Sequence, residues 1–391
     1  MNSDHEVTIL LALKDRFPFT VRWMSYAERV RLPFPVLIAD GSAGDETETL
    51  LGRGASFAGV RYQYVRSGQD TTYADYWRKV ADGCARIQTP FVALADNDDF
   101  FLVPGMRAGV EFMRTHSDHV TCGGQCAVFW VTSGGRRPRI SNPHVPEALY
   151  GNRVEWKCSL DARSLEDSSA RQRIRNHSLN AAHPAYYHVR RTAELRHHAE
   201  VLRDANIRDP FLIERLLLFL TAIAGKTRQL DTLYLARQWN APGSSGLAHE
   251  REHGDWFGRM LAASWSRDFT IFVEVASRAL AAHDRLAEDE ARRSVVELYR
   301  LWLAPQMLGD VLAEPTITLP MTITVAGMRR LLARSPGSAV RRLARTLYRR
   351  SRWISVDAVH GTQLRARRVR AAEKAFQPIY QFLTRGAAEA R

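Results

Sequence analysis

Four short apolar runs, each ended by a turn and followed by a stretch with helical spacing, confine this chain to a small set of folds. Residues 7–13 are apolar throughout apart from Thr8, as in a strand buried on both faces. In residues 19–31, Val21, Met24, Ala27 and Val30 recur every three residues until Pro33 and Pro35 end the helix. A second strand, residues 36–39, stops at the turn signal Asp40-Gly41-Ser42. Residues 60–65 form a third. Residues 71–87 read as the next helix, with Thr72 as its N-cap and Tyr73, Tyr76, Val80 and Ala81 on one face. Thr89-Pro90 closes it, and residues 91–95 are the fourth run. This alternation predicts an α/β fold with a mostly parallel sheet flanked by helices.

Beyond that, the pattern predicts a helix over 106–115, a strand over 127–132 and a basic, turn-rich excursion over 133–146. The core resumes at 185–191, continues through a helix from Phe211 and returns at 230–235. Residues 240–246 have the composition of a linker, and helical patterns dominate after Trp256. The expected division is an α/β domain over 1–240 and a mainly helical, basic region over 241–391, within reach of a 391-residue chain.

With 45% hydrophobic and 25% charged residues, the composition is that of a globular protein. The longest apolar stretch, 211–224, is too short to span a bilayer and carries Glu214 and Arg215. The N-terminus lacks the features of a secretory signal, so the expected location is cytoplasmic. Cys84, Cys122, Cys126 and Cys158 are too few for a disulfide scaffold and lack zinc-ribbon spacing, so buried free thiols are expected. From Met328 onward, 16 basic residues face only Asp357, Glu373 and Glu389, which accounts for the whole net charge of +13. Any partner of that charge belongs at the C-terminal end.

The fourth apolar run leads into Asp96-Asn97-Asp98-Asp99. Carboxylates at the carboxyl end of a buried strand lie where α/β sheets bind ligands. Three acids so close repel one another, and a divalent cation relieves the repulsion. A solvated acidic turn, or an N-cap for the next helix, explains an isolated Asp-x-Asp equally well. The context favours the ligand site: two earlier strands also end in acid-containing turns, Lys14-Asp15-Arg16 and Asp40-Gly41-Ser42.

In these motifs the chain resembles the GT-A glycosyltransferases, in particular a bacterial branch associated with surface-polysaccharide assembly. The resemblance covers residues 7–238. Asp15-Arg16 matches the Asn-Arg or Asp-Arg pair after the family's first strand, and Asp40-Gly41-Ser42 the Asp-Gly-Ser after its second. Residues 89–100, Thr-Pro-Phe-Val-Ala-Leu-Ala-Asp-Asn-Asp-Asp-Phe, resemble its metal motif. Leu13 and Lys14 depart from it, standing where many relatives carry Thr and Tyr.

The resemblance implies a nucleotide-sugar donor bound with Mg²⁺ or Mn²⁺. Asp40 would lie near the nucleobase, Asp96 near ribose and metal, and Asp98 on the metal, with Asp99 structural. Lys14 or Lys79 would add positive charge beside the phosphates. The metal would stabilise the leaving nucleoside diphosphate. An inverting member also needs a base for the acceptor hydroxyl, and Asp209 is the first candidate and Glu214 the second. Asp209 before Pro210 also reads as an ordinary N-cap.

Other signals carry less. His249-Glu250-Arg251-Glu252-His253 satisfies a zinc-protease pattern, but it follows a Gly/Ser linker and meets Gly254 at once. The bland reading is an exposed helix start, with a histidine reaching the donor metal as a third reading. His183 and His188 around Tyr186-Tyr187 are structural or line an acceptor pocket. Trp23, Tyr26, Tyr73 and Trp77 have core spacing. In residues 338–354, Val340, Leu343, Ala344, Leu347 and Tyr348 share a helical face flanked by Arg341, Arg342, Arg345, Arg349 and Arg350. Such a helix lies peripherally on an anionic membrane, at the inner face of the cell membrane, or packs on the protein. Nucleic-acid binding lacks a reader motif.

The expected function is transfer of a sugar, of hexosyl type, from a nucleotide donor to a glycan or lipid-linked acceptor in surface polysaccharide synthesis. The alternative is a non-catalytic GT-A-like protein whose basic C-terminus binds membrane or nucleic acid. A nucleotidyltransferase is disfavoured, because Lys14-Asp15-Arg16-Phe17-Pro18 has no glycine for a phosphate loop.

Overall fold

A computed structural model describes residues 3–54, 56–132, 149–151, 153–159, 163–179, 185–239, 256–313 and 362–389. The first strands are β1 (Val7–Leu13), β2 (Val36–Asp40), β3 (Tyr62–Arg66) and β4 (Phe91–Ala95). They pair in parallel in the order β3-β2-β1-β4. Three helices alternate with them: α1 (Phe17–Arg29), α2 (Glu46–Leu51) and α3 (Tyr73–Arg86). Burial of β1 and β4 on both faces accounts for their unbroken apolar sequence. Leu10 and Ala12 enter one core layer, and Ile9, Leu11 and Leu13 the other. Thr72 caps α3 in a capping box with Asp75, as its position before the apolar face predicts.

The rest of the sheet is mixed. It comprises β5 (Phe100–Phe101), β6 (His119–Thr132), β7 (Arg153–Ser159), β8 (Val189–Arg191) and β9 (Lys226–Gln238). The path continues β4-β8-β6-β9-β5, and β7 pairs with β6. β8 is antiparallel to both β4 and β6, β9 is parallel to β6, and β5 is antiparallel to β9. Four more helices accompany these strands: α4 (Val103–Thr115), α5 (Ala170–Leu179), α6 (Thr192–Ala205) and α7 (Pro210–Ala224). Gly105 of α4 is required by close approach: a Cβ there would fall 2.5 Å from the Leu233 carbonyl oxygen of β9.

The C-terminal helices are α8 (Trp256–Met260), α9 (Trp265–Asp284), α10 (Glu288–Ala313) and α11 (Thr362–Glu389). Residues of α9 and α10 join those of α3, α6 and α7 in one apolar cluster, including Phe272, Tyr299 and Trp302. α11 lies on the far half of the sheet. Its Phe376, Ile379, Phe382 and Leu383 pack with Phe100, Phe129 and Tyr26. Deletion of the basic C-terminus would therefore strip core side chains as well as charge.

All four cysteines are free, with Cys84, Cys122 and Cys126 buried and Cys158 half-buried. Among the described residues no helix is long and apolar enough to cross a membrane. The excursion at 133–146, the linker, His183, the His249–His253 pattern and the helix expected at 338–354 fall outside the described residues.

The Phe376 ring is 1% exposed and stacks on Trp156 at 4.8 Å. Phe376→Ala is expected to lower unfolding free energy by about 3–5 kcal/mol, the cost of an aromatic-sized core cavity. Chemical denaturation of the full chain measures it.

Candidate metal and donor site

The carboxyl ends of β1, β2 and β4 meet at one edge of the sheet, and side-chain bonds tie their turns together. After β1, Asp15 and Arg16 both adopt left-handed backbone, with φ of 55° and 61°. Asp15 N–H donates to Ser42 Oγ at 2.7 Å, and its Oδ1 accepts from Ala43 N–H at 3.0 Å. The first two turns are thereby locked. Arg16 reaches the third: its guanidinium donates to Asp98 Oδ2 at 3.2 Å. Asn97 supports the same junction through Thr20 Oγ1 at 3.1 Å.

Asp96, Asp98 and Asp99 each present an oxygen within 4.8 Å of the others. Burial raises the Asp96 carboxyl above the usual range, and the neighbouring Asp98 charge raises it further. Burial likewise raises Asp99. The three acids differ in their bonds. Asp99 accepts from Arg237 Nε at 2.9 Å and from the Gln238 N–H at 3.1 Å, which anchors β9 to the acidic turn. Asp96 accepts one bond, from the Tyr187 hydroxyl at 2.6 Å. Among the described residues, the Asp98 carboxylate accepts from Arg16 alone. The donor set fits a hard divalent cation: all oxygen, repelling one another, with two of the three acids lightly bonded. Asp96 and Asp98 are the pair that would hold it.

Beneath the turn lies Arg22, fully buried. It donates to Gln238 Oε1 at 2.7 Å, to the Leu149 carbonyl at 2.9 Å and to the Asp98 carbonyl at 3.2 Å. Its guanidinium also stands over the rings of Phe19 and Phe100. Burial lowers its pKa to about 10, so it stays charged at neutral pH. One side chain of α1 thus clamps the acidic turn to the end of β9.

The structure disperses some expected donor ligands. Asp40 is fully buried. Its oxygens accept from Ser42 N–H and Oγ, the Tyr64 hydroxyl and Arg66 at 2.5–3.3 Å, which pins the β2 turn to β3. Lys79 is buried in an ion pair with Asp70 and donates to the Leu13 carbonyl at 2.5 Å, beneath the end of β1. Lys14 is exposed beside it. Asp209 is the N-cap of α7: its Oδ1 accepts from the Phe211 and Leu212 N–H groups, both at 2.9 Å. Asp268 of α9 receives the N–H groups of Arg208 and Asp209. Glu214, on the first turns of α7, is exposed and adds its charge to the field at the Tyr186 hydroxyl, which also feels Asp96. α7 leads into β9, which runs back to Asp99, so the start of α7 and the acids share one end of the fold.

Arg22, Tyr187, Arg237 and Gln238 carry no mark in the sequence. Each meets its partner across 76 or more residues: Arg22 with Asp98, Tyr187 with Asp96, and Arg237 and Gln238 with Asp99.

A parallel β3-β2-β1-β4 half, β8 antiparallel beside β4, and a carboxylate cluster at the β4 end together decide the architecture. It is the α/β arrangement that the resemblance to GT-A folds implies. Its solved neighbours include TarS of S. aureus, at 11% identity and TM-score 0.41, covering 80% of this chain and 46% of TarS. The chain therefore spans less than half of that TarS chain. TarS 1–349 in complex with UDP matches at 12% identity and TM-score 0.43, covering 99% of this chain and 92% of that one. The mannosyltransferase PcManGT from Pyrobaculum calidifontis, in complex with GDP-Man and Mn²⁺, matches at 11% and 0.40, covering 95% and 87%. No protein-family model and no curated protein matches the chain.

Arg22→Met leaves three acceptors without their donor in a buried site. It is expected to cost about 3 kcal/mol of stability or more, at roughly 1 kcal/mol or more for each buried acceptor left unpaired. Arg22→Lys should cost less, because it keeps the charge and part of the bonding. Thermal and denaturant melts of both variants test the order.

Proposed function

We propose that this chain is a glycosyltransferase that moves a hexosyl group from a nucleotide-sugar donor to a hydroxyl of a glycan or lipid-linked acceptor in surface polysaccharide synthesis. The observation that carries this reading is the carboxylate cluster at the β4 end, joined to the turns of β1 and β2 by Arg16 and Ser42. Asp96 and Asp98 would hold Mg²⁺ or Mn²⁺, whose charge would stabilise the departing nucleoside diphosphate. Arg16 and the exposed Lys14 add positive charge on the same side. Asp40 acts on the nucleobase through the shape of the turn that its four bonds impose, since its own oxygens are occupied. Lys79 contributes through the Leu13 end of β1 that it supports.

The acceptor proton passes to a carboxylate at the start of α7, where Asp209 and Glu214 stand. Asp209 is oriented by its two backbone bonds, while Glu214 is exposed toward solvent. Residues 338–354 hold the enzyme at the inner face of an anionic membrane, the location of a lipid-linked acceptor.

Three experiments test these assignments. Thermal-shift screening of nucleotide sugars with and without Mn²⁺ should find a donor whose stabilisation needs the metal, and Asp98→Asn should abolish it. Equal stabilisation of the variant would remove the metal assignment. With that donor, Asp209→Asn or Glu214→Gln should lower turnover at least about 100-fold with donor affinity retained, the usual contribution of a general base. Wild-type turnover in both would take the base away from α7. For the membrane, Glu at Arg341, Arg342, Arg345, Arg349 and Arg350 should release the protein from anionic liposomes, and an undiminished pellet would contradict the contact.

A further inference from the structure

Among the described residues, three arginines bond to the acidic run, and they are held differently. Arg22 gives its bonds to three acceptors, and Arg237 to Asp99 and the Tyr187 hydroxyl. Arg16 gives one side-chain bond among the described residues, to Asp98 Oδ2 at 3.2 Å. Its Nε is buried without an acceptor there. The guanidinium otherwise rests over the Phe19 ring, 4.3 Å from the centroid, and shares that ring with the fixed charge of Arg22 at 4.7 Å. Of the three cations, Arg16 is the one with least to hold it.

Asp98 is also one of the two carboxylates that would hold a divalent cation. Whichever of its oxygens the cation used, a guanidinium hydrogen-bonded to the same carboxylate is a like charge close by, and it opposes binding. The side chains of Arg16 and Asp98 are 17% and 11% exposed, so bulk water and salt screen that repulsion only in part. A nucleoside diphosphate shifts the balance. Its phosphate oxygens accept from a guanidinium in pairs, and of the five N–H groups that an arginine carries, Arg16 spends one on Asp98. A guanidinium drawn to the diphosphate leaves Asp98 to the cation.

We propose that Arg16 is a resident counter-ion of Asp98 that opposes cation binding until a nucleoside diphosphate takes up its guanidinium, which makes metal loading depend on the nucleotide. This rests on the nucleotide-sugar reading given above, and adds the side chain through which nucleotide and metal are coupled. The coupling acts through charge, because the local backbone stands without the guanidinium. The Arg16 carbonyl accepts from the Phe19 and Thr20 N–H groups at 2.9 and 3.3 Å and from Asn97 Nδ2 at 3.4 Å. Arg16→Met keeps those bonds and a side chain of similar reach while it removes the charge.

The test titrates Mn²⁺ into the full chain with and without UDP or GDP and reads bound metal by electron paramagnetic resonance. Arg16→Met should bind Mn²⁺ alone about tenfold more tightly than the wild type, the equivalent of about 1.4 kcal/mol and the low end for one charged hydrogen bond. The factor by which the nucleotide raises Mn²⁺ affinity should fall by a similar amount. Arg16→Lys keeps the charge and should stay nearer the wild type than Arg16→Met on both measures. Thermal melts check that each variant is folded, and Arg16→Gln, equally uncharged, takes the place of Arg16→Met if that variant does not fold. A guanidinium that merely braced the turn gives the opposite sign: Mn²⁺ affinity is lost in Arg16→Met with and without nucleotide, and that result overturns the proposal. So does an unchanged Mn²⁺ affinity, or a nucleotide effect as large as in the wild type. Wild-type Mn²⁺ binding that is absent, or indifferent to both nucleotides, overturns the nucleotide-sugar reading, and the proposal with it.

Discussion

Three carboxylates within 4.8 Å of one another at the end of a buried strand are the constraint that the rest of this structure answers. Like charges in a low-dielectric setting are costly unless they are protonated, hydrogen-bonded or neutralised. The fold divides the three acids among these solutions. Asp99 is bonded to Arg237 and the β9 backbone, so it serves as an anchor. Among the described residues, the Asp96 and Asp98 carboxylates accept one side-chain bond each, from Tyr187 and Arg16. Asp99 thus serves the architecture, while Asp96 and Asp98 are the pair proposed to meet a cation.

The same division explains why the second half of the chain has to come back to the first. The acidic turn is held from below by Arg22, a cation in an apolar layer whose three bonds reach the turn, β9 and Leu149. β9 brings Arg237 and Gln238 to the site. α11 then covers Phe100 and Phe129 on the outer half of the sheet. The basic C-terminal region is therefore part of what supports the site as well as a carrier of charge.

The parallel half of the fold was legible because its strands are apolar on both faces: Val7–Leu13 and Phe91–Ala95 coincide with the predicted runs. The acidic cluster was legible for the same reason, since a charged stop after such a run is conspicuous. Elements with one wet face were not. β7 alternates Arg153, Glu155 and Lys157 with Val154 and Trp156, and α6 spaces Leu195, Ala199 and Leu202 at helical intervals, so each has its period but lacks the unbroken apolar run that marks β1 and β4. β6 begins at His119, well before the predicted start at 127, because Gly123 and Gly124 interrupt its apolar pattern. The contacts that complete the site were hidden by distance along the chain. Tyr187 meets Asp96 across 91 residues, and Arg237 meets Asp99 across 138. Asp209 shows the converse: its N-cap role is local, so Pro210 announced it.

The central claim is that Asp96 and Asp98 hold a divalent cation that a nucleoside diphosphate shares. Electron paramagnetic resonance of Mn²⁺, titrated into the full chain with and without UDP or GDP, tests it most directly. Protein-bound Mn²⁺ is expected, with an affinity that rises when the nucleotide is present, and that signal should be lost in the Asp96→Asn, Asp98→Asn double variant. Mn²⁺ bound equally well by the double variant, or with an affinity indifferent to either nucleotide, would contradict it.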